Sequence, residues 1–505
     1  MRAAKLASLT LLASSSVAHP EPTVRNANHI FNSIHSSMRE WGSTLFHNGM
    51  TFYLATVPAG TQLYHGTHSP DPTTGMEWLS FEMEQAILFA RLPSFSGETP
   101  RRSPGQGTQK PISLGPKETS QDSGFLHTYT PTRDLHLLYI DGLSAAMTNN
   151  GTHDAQNRIL LNDTMRGADI VDEGASASEM CRLLRETYDD RLDGILRMEI
   201  GTEIILCSFE RDLQFVRATR AKPMKNTGAP GHRSKEEVLG DLQPDVGSWL
   251  SVMARYHGIG GDRVRVDYDH LVTAYTYDLD LFGGKSLKYR PRLEHLDSSL
   301  LEPIRQELKD VIMSQDPSTS TSSSSSSKHP FNWQAITDMI IEHYAHTLRY
   351  LVSGVPNQTE IHENIDRLLE PFIAYDTERN ITREANHCKT QFLPLISMQS
   401  TAAQAIQSVS QEICWTLLEA QEAAAATADQ YTTVTAKIKS LMEYLSWSTW
   451  KECSGCKDNE MCMVPVAPVS AAEDYDHPRC RDVRNLKLDG EGRRYWGGFY
   501  VPSPN

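Results

Sequence analysis

No stretch of this 505-residue chain approaches the roughly 20 consecutive apolar residues that a membrane-spanning helix requires, so the sequence offers no membrane span. Basic residues are also in short supply. Lys and Arg number 48 against 63 Asp and Glu, and the resulting formal charge of -15 repels polyanions, which excludes nucleic acid as a general partner. Three catalytic signatures are missing as well: there is no Gly-x-Ser-x-Gly elbow, no phosphate-binding P-loop and no His-Glu-x-x-His pair. The common hydrolase and metalloprotease chemistries therefore have no anchor. His343 and His346 form an H-x-x-H pair without an accompanying carboxylate pattern, so they read as surface or half-buried residues and no metal site is expected.

What is present at the start is a leader. Arg2 and Lys5 precede an apolar run from Leu6 to Val17, and Ser16-Val17-Ala18 supplies the small residues a signal peptidase reads, giving a secretory signal over 1–18. The C-terminal YWGGFYVPSPN lacks the hydrophobic end of a lipid-anchor signal. A secreted, extracellular protein is the expectation. Asn-x-Ser/Thr acceptors at Asn150, Asn162, Asn357 and Asn380 fit a glycosylating route. The eight cysteines, Cys181, Cys207, Cys388, Cys414, Cys453, Cys456, Cys462 and Cys480, are an even number and read as disulfides in an oxidising compartment. Cys181 with Cys207 and Cys388 with Cys414 are candidate bridges. Four cysteines crowd the C-terminus with a C-x2-C pair that zinc would accept, but export favours disulfides there too.

The chain reads as α+β: a mixed domain over 19–316, a Ser/Thr-rich linker over 317–328, a mainly helical domain over 329–450 and a Cys-rich tail over 451–505. Inside the first domain, 92–123 is rich in Pro, Gly, Ser and Lys and reads as a mobile loop. Leu135 to Ile140 is a continuous apolar run, expected as a buried strand, and 195–209 reads as two extended runs meeting at Gly201. Helices are expected over 179–188, 249–256 and 300–313, while 263–282 is aromatic and β-branched and favours strand or a strand-helix mixture. Six Lys or Arg residues between Arg217 and Lys235 suit either a solvated connector or a contact with an acidic ligand. STSTSSSSSS at Ser318 to Ser327 cannot bury apolar surface and marks the hinge. Beyond it, Trp333, Ile336, Ile340, Tyr344, Leu348 and Leu351 recur at helical spacing, and 402–445 contains neither Gly nor Pro.

The densest stretch of text is Gly60 to Arg91, which reads as strand, loop, strand and helix: Leu63-Tyr64-His65 closed by Gly66, a Pro and Gly loop, Trp78-Leu79-Ser80-Phe81, then a helix opened by Glu82 and Glu84. Taken with the later Thr202-Glu203-Ile204-Ile205-Leu206, these runs resemble the three motifs of the ADP-ribosyltransferase-like fold over residues 50–210. The resemblance implies NAD as a substrate, cleaved at its nicotinamide glycosidic bond by an active or degenerate site. It places His65 on the nicotinamide ribose, the Gly66 backbone on the carboxamide and Ser80 in the second-motif position. Glu203 would orient the ribose hydroxyl and stabilise the developing cation, with Tyr64, Trp78 and Phe81 as an aromatic wall. Plainer roles stand beside these: His65 as a strand-end residue at a turn, Ser80 as an ordinary strand serine, and Glu203 as an edge residue or a partner for Arg197. In style, with its Ser/Thr hinge and sequons, the chain resembles secreted proteins of filamentous fungi. The alternative function is a non-catalytic extracellular binding or structural protein whose helical part meets an unknown partner.

Overall fold

The computed structural model describes residues 22–91, 124–146, 148, 150–165, 173–199, 201–222, 258–283, 290–315, 331–394, 399–426, 431–465 and 472–482. The leader 1–18, the loop 92–123, the hinge 317–328, the expected helix 249–256 and most of the basic connector lie outside the described residues.

An α+β architecture is observed. A nine-stranded sheet is built from β1 (Asn48–Val57), β2 (Leu63–Thr67), β3 (Glu77–Ser80), β4 (Phe125–Pro131), β5 (Leu135–Gly142), β6 (Gly194–Glu199), β7 (Gly201–Leu206), β8 (Leu213–Arg220) and β9 (Arg265–Thr273), in the order β8-β4-β2-β3-β7-β6-β5-β1-β9. Every pairing is antiparallel except β5 with β6. That parallel pair needs a crossover, supplied by a π-helical turn (Ala155–Leu160) and a long helix (Glu173–Glu186). The continuous apolar text of β5 is explained by its position between β6 and β1, with Leu135, Leu137, Leu138, Tyr139 and Ile140 all buried.

Among the described residues the α-helices are α1 (Ala27–Ser36), α2 (Glu40–Leu45), α3 (Met83–Arg91), α4 (Glu173–Glu186), α5 (Phe209–Asp212), α6 (Glu302–Met313), α7 (Trp333–Leu351), α8 (Gln358–Leu369), α9 (Ile381–Lys389), α10 (Thr401–Ala426), α11 (Tyr431–Leu445) and α12 (Ala472–Asp476). The stripe predicted from Trp333 to Leu351 is the inward face of α7: Trp333, Ile340, Tyr344, Leu348 and Leu351 are buried. α1 links the two halves of the chain, packing on α7 and α10 while Ser33 reaches the sheet through Asp141 Oδ2 at 2.6 Å. Asn28 and Asn32 donate to the carbonyls of Tyr444 and Leu445 at 2.7 and 2.9 Å, closing the open end of α11. Phe31, Tyr53, Leu138, Ile406 and Trp447 consequently belong to one continuous apolar core. Each fully buried side chain of this size contributes about 1.5–3 kcal/mol, so this shared core outweighs any single polar contact between the sheet and the helices.

Four disulfides pin the periphery. Cys181–Cys207 ties α4 to the residue after β7, Cys388–Cys414 ties α9 to α10, and Cys453–Cys462 with Cys456–Cys480 staples the hairpin of β10 (Glu460–Met463) and β11 (Arg479–Asp482).

Candidate functional site: a buried arginine ringed by carboxylates

The site begins with a hairpin. β6 and β7 pair in antiparallel fashion, and Gly201 at the start of β7 has φ +93, a left-handed conformation suited to glycine, where a Cβ would lie 2.5 Å from Gln85 Oε1. The register then places Arg197 opposite Glu203, Glu203 opposite Ser80, and Ser80 opposite Tyr64. Paired residues in an antiparallel sheet share a face, so these four side chains form one row across β6, β7, β3 and β2. His65, one residue along from Tyr64, emerges on the opposite face.

Arg197 is the hub. Its Nε donates to Glu203 Oε1 at 3.0 Å, Nη1 donates to Gln156 Oε1 at 2.6 Å, and Nη2 is shared between Glu203 and the Glu173 carboxylate. The side chain is 1% exposed. Burial works against its charge, but the carboxylates of Glu173 and Glu203 outweigh that and hold the guanidinium firmly protonated. Burial raises Glu203 above the usual carboxylate range, and Arg197 pulls it part of the way back. Two further carboxylates bear on the cluster. Glu199 is driven well up by burial and by the charge of Glu203; Glu40, from α2, is pushed up to about 8 by burial although the Gly201 N–H donates to it at 3.1 Å. Arg197 thus pairs directly with Glu173 from α4 and Glu203 from β7, while Glu199 on β6 feels the charges of Glu203, Arg197, Glu173 and Glu40. His153 is held neutral down to about 3, chiefly by burial and then by the Arg197 charge.

The remaining predicted residues have structural occupations. Ser80 is fully buried; its hydroxyl donates to Gln85 Oε1 at 2.6 Å and accepts from the Glu82 N–H at 3.1 Å, fixing the entry to α3. Gly66 lies beneath α3 so closely that a Cβ would sit 2.0 Å from the Ala86 carbonyl oxygen, and this approach accounts for the glycine. The Tyr64 hydroxyl donates to Gln62 at 3.2 Å. His65 is fully buried, with Nδ1 2.7 Å from the Trp78 carbonyl oxygen and its ring edge-on to Phe209 at 5.5 Å. The fold therefore gathers Tyr64, Ser80 and Glu203 into one row and sets His65 apart. Trp78 and Phe81 are packed in the core at 1% exposure each.

Of the partners of Glu203, Arg197 was legible in the sequence as a charged residue between Ile195, Leu196 and Met198 in a strand, where burial demands a counter-ion. Glu173, Gln156 and Glu40 carry no such signal, because three separate segments deliver them. In the C-terminal staple, the sulfurs of Cys453, Cys456 and Cys480 lie within 4.8 Å of one another, but all are in disulfides and none offers a thiolate to a metal. His343 and His346 are exposed on α7.

A groove of about 720 Å³ lies elsewhere, lined by Arg39, Asp262, Arg265, Tyr268 and Gln334 among others. Its charges are already paired: Arg39 is bidentate to Asp338 at 2.6 Å, and Arg265 holds Asp262 at 2.5 Å.

A family model described as the YPL277C N-terminal domain matches residues 21–124 and 109–230. Two proteins of Saccharomyces cerevisiae, the uncharacterized proteins YOR389W and YPL277C, are each 34% identical to this chain, over 207 and 208 residues. The matched stretch is 37% of this chain and spans 32% and 41% of those two proteins. No solved structure gives a significant match. Where the short motifs resemble the ADP-ribosyltransferase-like fold, the measurable similarity over the sheet-bearing part is to the YPL277C N-terminal domain family.

Proposed function

We propose that this chain is an exported, disulfide-stapled glycoprotein that acts by binding and not by catalysis. The observation that carries the reading is the engagement of Glu203: the one carboxylate assigned to chemistry is buried and spends its charge on Arg197, which also holds Glu173. A carboxylate that stabilises a developing cation must meet that cation, and here a permanent one already occupies the place. Export is supported by the pairing of every cysteine and by the absence, among the described residues, of a helix long and apolar enough to cross a membrane. Purified protein should give neither nicotinamide release nor a thermal shift with NAD, and Glu203→Gln should change its stability alone.

One observation favours the second reading, an ADP-ribosyltransferase-like site that cleaves NAD. Tyr64, Ser80 and Glu203, drawn from three motifs, are neighbours in one cross-strand row. For that chemistry Glu203 would have to leave Arg197, and His65 would have to act from the far face of the sheet. Nicotinamide release abolished by Glu203→Gln would establish it.

A further inference from the structure

We propose that Asn162, Asn357 and Asn380 carry N-linked glycans and that Asn150 does not, an assignment that rests on the export reading above. N-glycosylation joins the asparagine Nδ2 to the anomeric carbon of a lipid-pyrophosphate-linked oligosaccharide. The nitrogen loses a proton as the bond to pyrophosphate breaks, and the amide oxygen is left unchanged. The product is bulky and must remain at the surface.

Two of the four acceptors are helix N-caps whose oxygen is already committed. Asn357 Oδ1 accepts from the Glu360 N–H at 3.1 Å, while the Glu360 carboxylate accepts from the Asn357 N–H at 2.8 Å, a reciprocal box at the start of α8. Asn380 Oδ1 accepts from the Arg383 N–H at 2.9 Å at the start of α9. Both caps use the oxygen and leave the attachment nitrogen outside the cap, so a sugar on Nδ2 preserves them. Asn357, Thr359, Asn380 and Thr382 are all exposed. Asn162 is also exposed, at φ +46 in the turn after the π-helical segment, and its partner Thr164 is exposed.

Asn150 sits in different surroundings. Its carbonyl accepts from Asn48 Nδ2 at 2.7 Å, and its N–H donates to the Thr148 hydroxyl at 3.2 Å. Gly151 is so confined that a Cβ would lie 2.4 Å from Arg292 Nε, and Thr152 is 1% exposed with its hydroxyl on the Ala146 carbonyl. Asn150 is itself half-buried, and because sugar transfer precedes folding, a chain modified there would have to seat a glycan beside the packed Gly151 and Thr152 to close this turn against the start of β1, which selects against it in secreted protein.

The test expresses the full chain in a yeast host from its own leader and, in parallel, with residues 1–18 exchanged for the host's secretion signal. Occupancy is read by peptide mass spectrometry after enzymatic deglycosylation, which converts each occupied Asn to Asp. Asn162, Asn357 and Asn380 should be occupied and Asn150 bare. Thr359→Ala and Thr382→Ala should each remove one glycan step on a gel while leaving the capping asparagine in place. Occupancy at Asn150, or a bare Asn162, Asn357 or Asn380 in secreted protein, overturns the assignment. The expected pattern behind the host signal, with no secretion from the native leader, overturns export and leaves the assignment standing.

Discussion

Arg197 on β6 and Glu203 on β7 face each other across the hairpin, both buried, with the guanidinium Nε 3.0 Å from the carboxylate. Removing the cation leaves Glu173 and Glu203 uncompensated in the core, whereas removing one carboxylate leaves Arg197 with Glu173. Arg197→Met should therefore cost about 3–5 kcal/mol of unfolding free energy. Glu203→Gln should cost distinctly less. Urea denaturation of the two variants checks the order; equal losses, or a larger loss for Glu203→Gln, would contradict it.

Stability should have a mildly acidic optimum. Burial raises Asp141 to about 6 and Glu40 to about 8, so over the range from about 4 to 8 the folded state keeps protons the unfolded chain has lost, and stability falls as pH rises. Burial lowers His29 to about 4 and His153 to about 3, so from about 6.5 downward the unfolded chain takes up protons the folded one refuses, and stability falls as pH falls. Of these four groups only the carboxylates titrate above about pH 6.5 and only the histidines below about pH 4, and Asp338, held down to about 2, adds to the loss on the acid side, which sets the maximum between. Melting temperature against pH reads this directly, and Glu40→Gln should flatten the alkaline limb.

Gly66→Ala tests the role of that glycine. Its new methyl would meet the Ala86 carbonyl oxygen, a backbone atom that moves only with α3. The expected loss is about 1–3 kcal/mol or more. An unchanged melting temperature would show that α3 does not sit on β2 as described.

The disulfides should rank by the loop each closes. Cys388–Cys414 and Cys181–Cys207 each span 26 residues and Cys453–Cys462 spans 9. Replacing either long-loop pair by serine should cost about 3 kcal/mol, and the short one less. Denaturation midpoints of the three paired variants decide the ranking.

Elements with a local signature were legible in the sequence. The apolar run Leu135 to Ile140, the two extended runs meeting at Gly201, the strand-loop-strand-helix order from Leu63 to Arg91 and the α7 stripe all lie in the structure where their text put them. Cys181 with Cys207 and Cys388 with Cys414 are bonded as paired from the sequence. The site was legible only in part. Arg197 and Glu203 lie within one hairpin, so their pairing could be anticipated; Glu173, Gln156 and Glu40 arrive from separate segments, and no spacing rule connects them. His65 shows the opposite difficulty, since a motif fixes the order of residues along the chain but not which face of a strand each one takes.

Nicotinamide release from NAD by the purified protein, measured against buffer and against Glu203→Gln, bears most directly on the role of the Arg197 network. A carboxylate committed to a buried guanidinium predicts no release above the buffer rate from either protein. Release by the native protein that Glu203→Gln abolishes would contradict it.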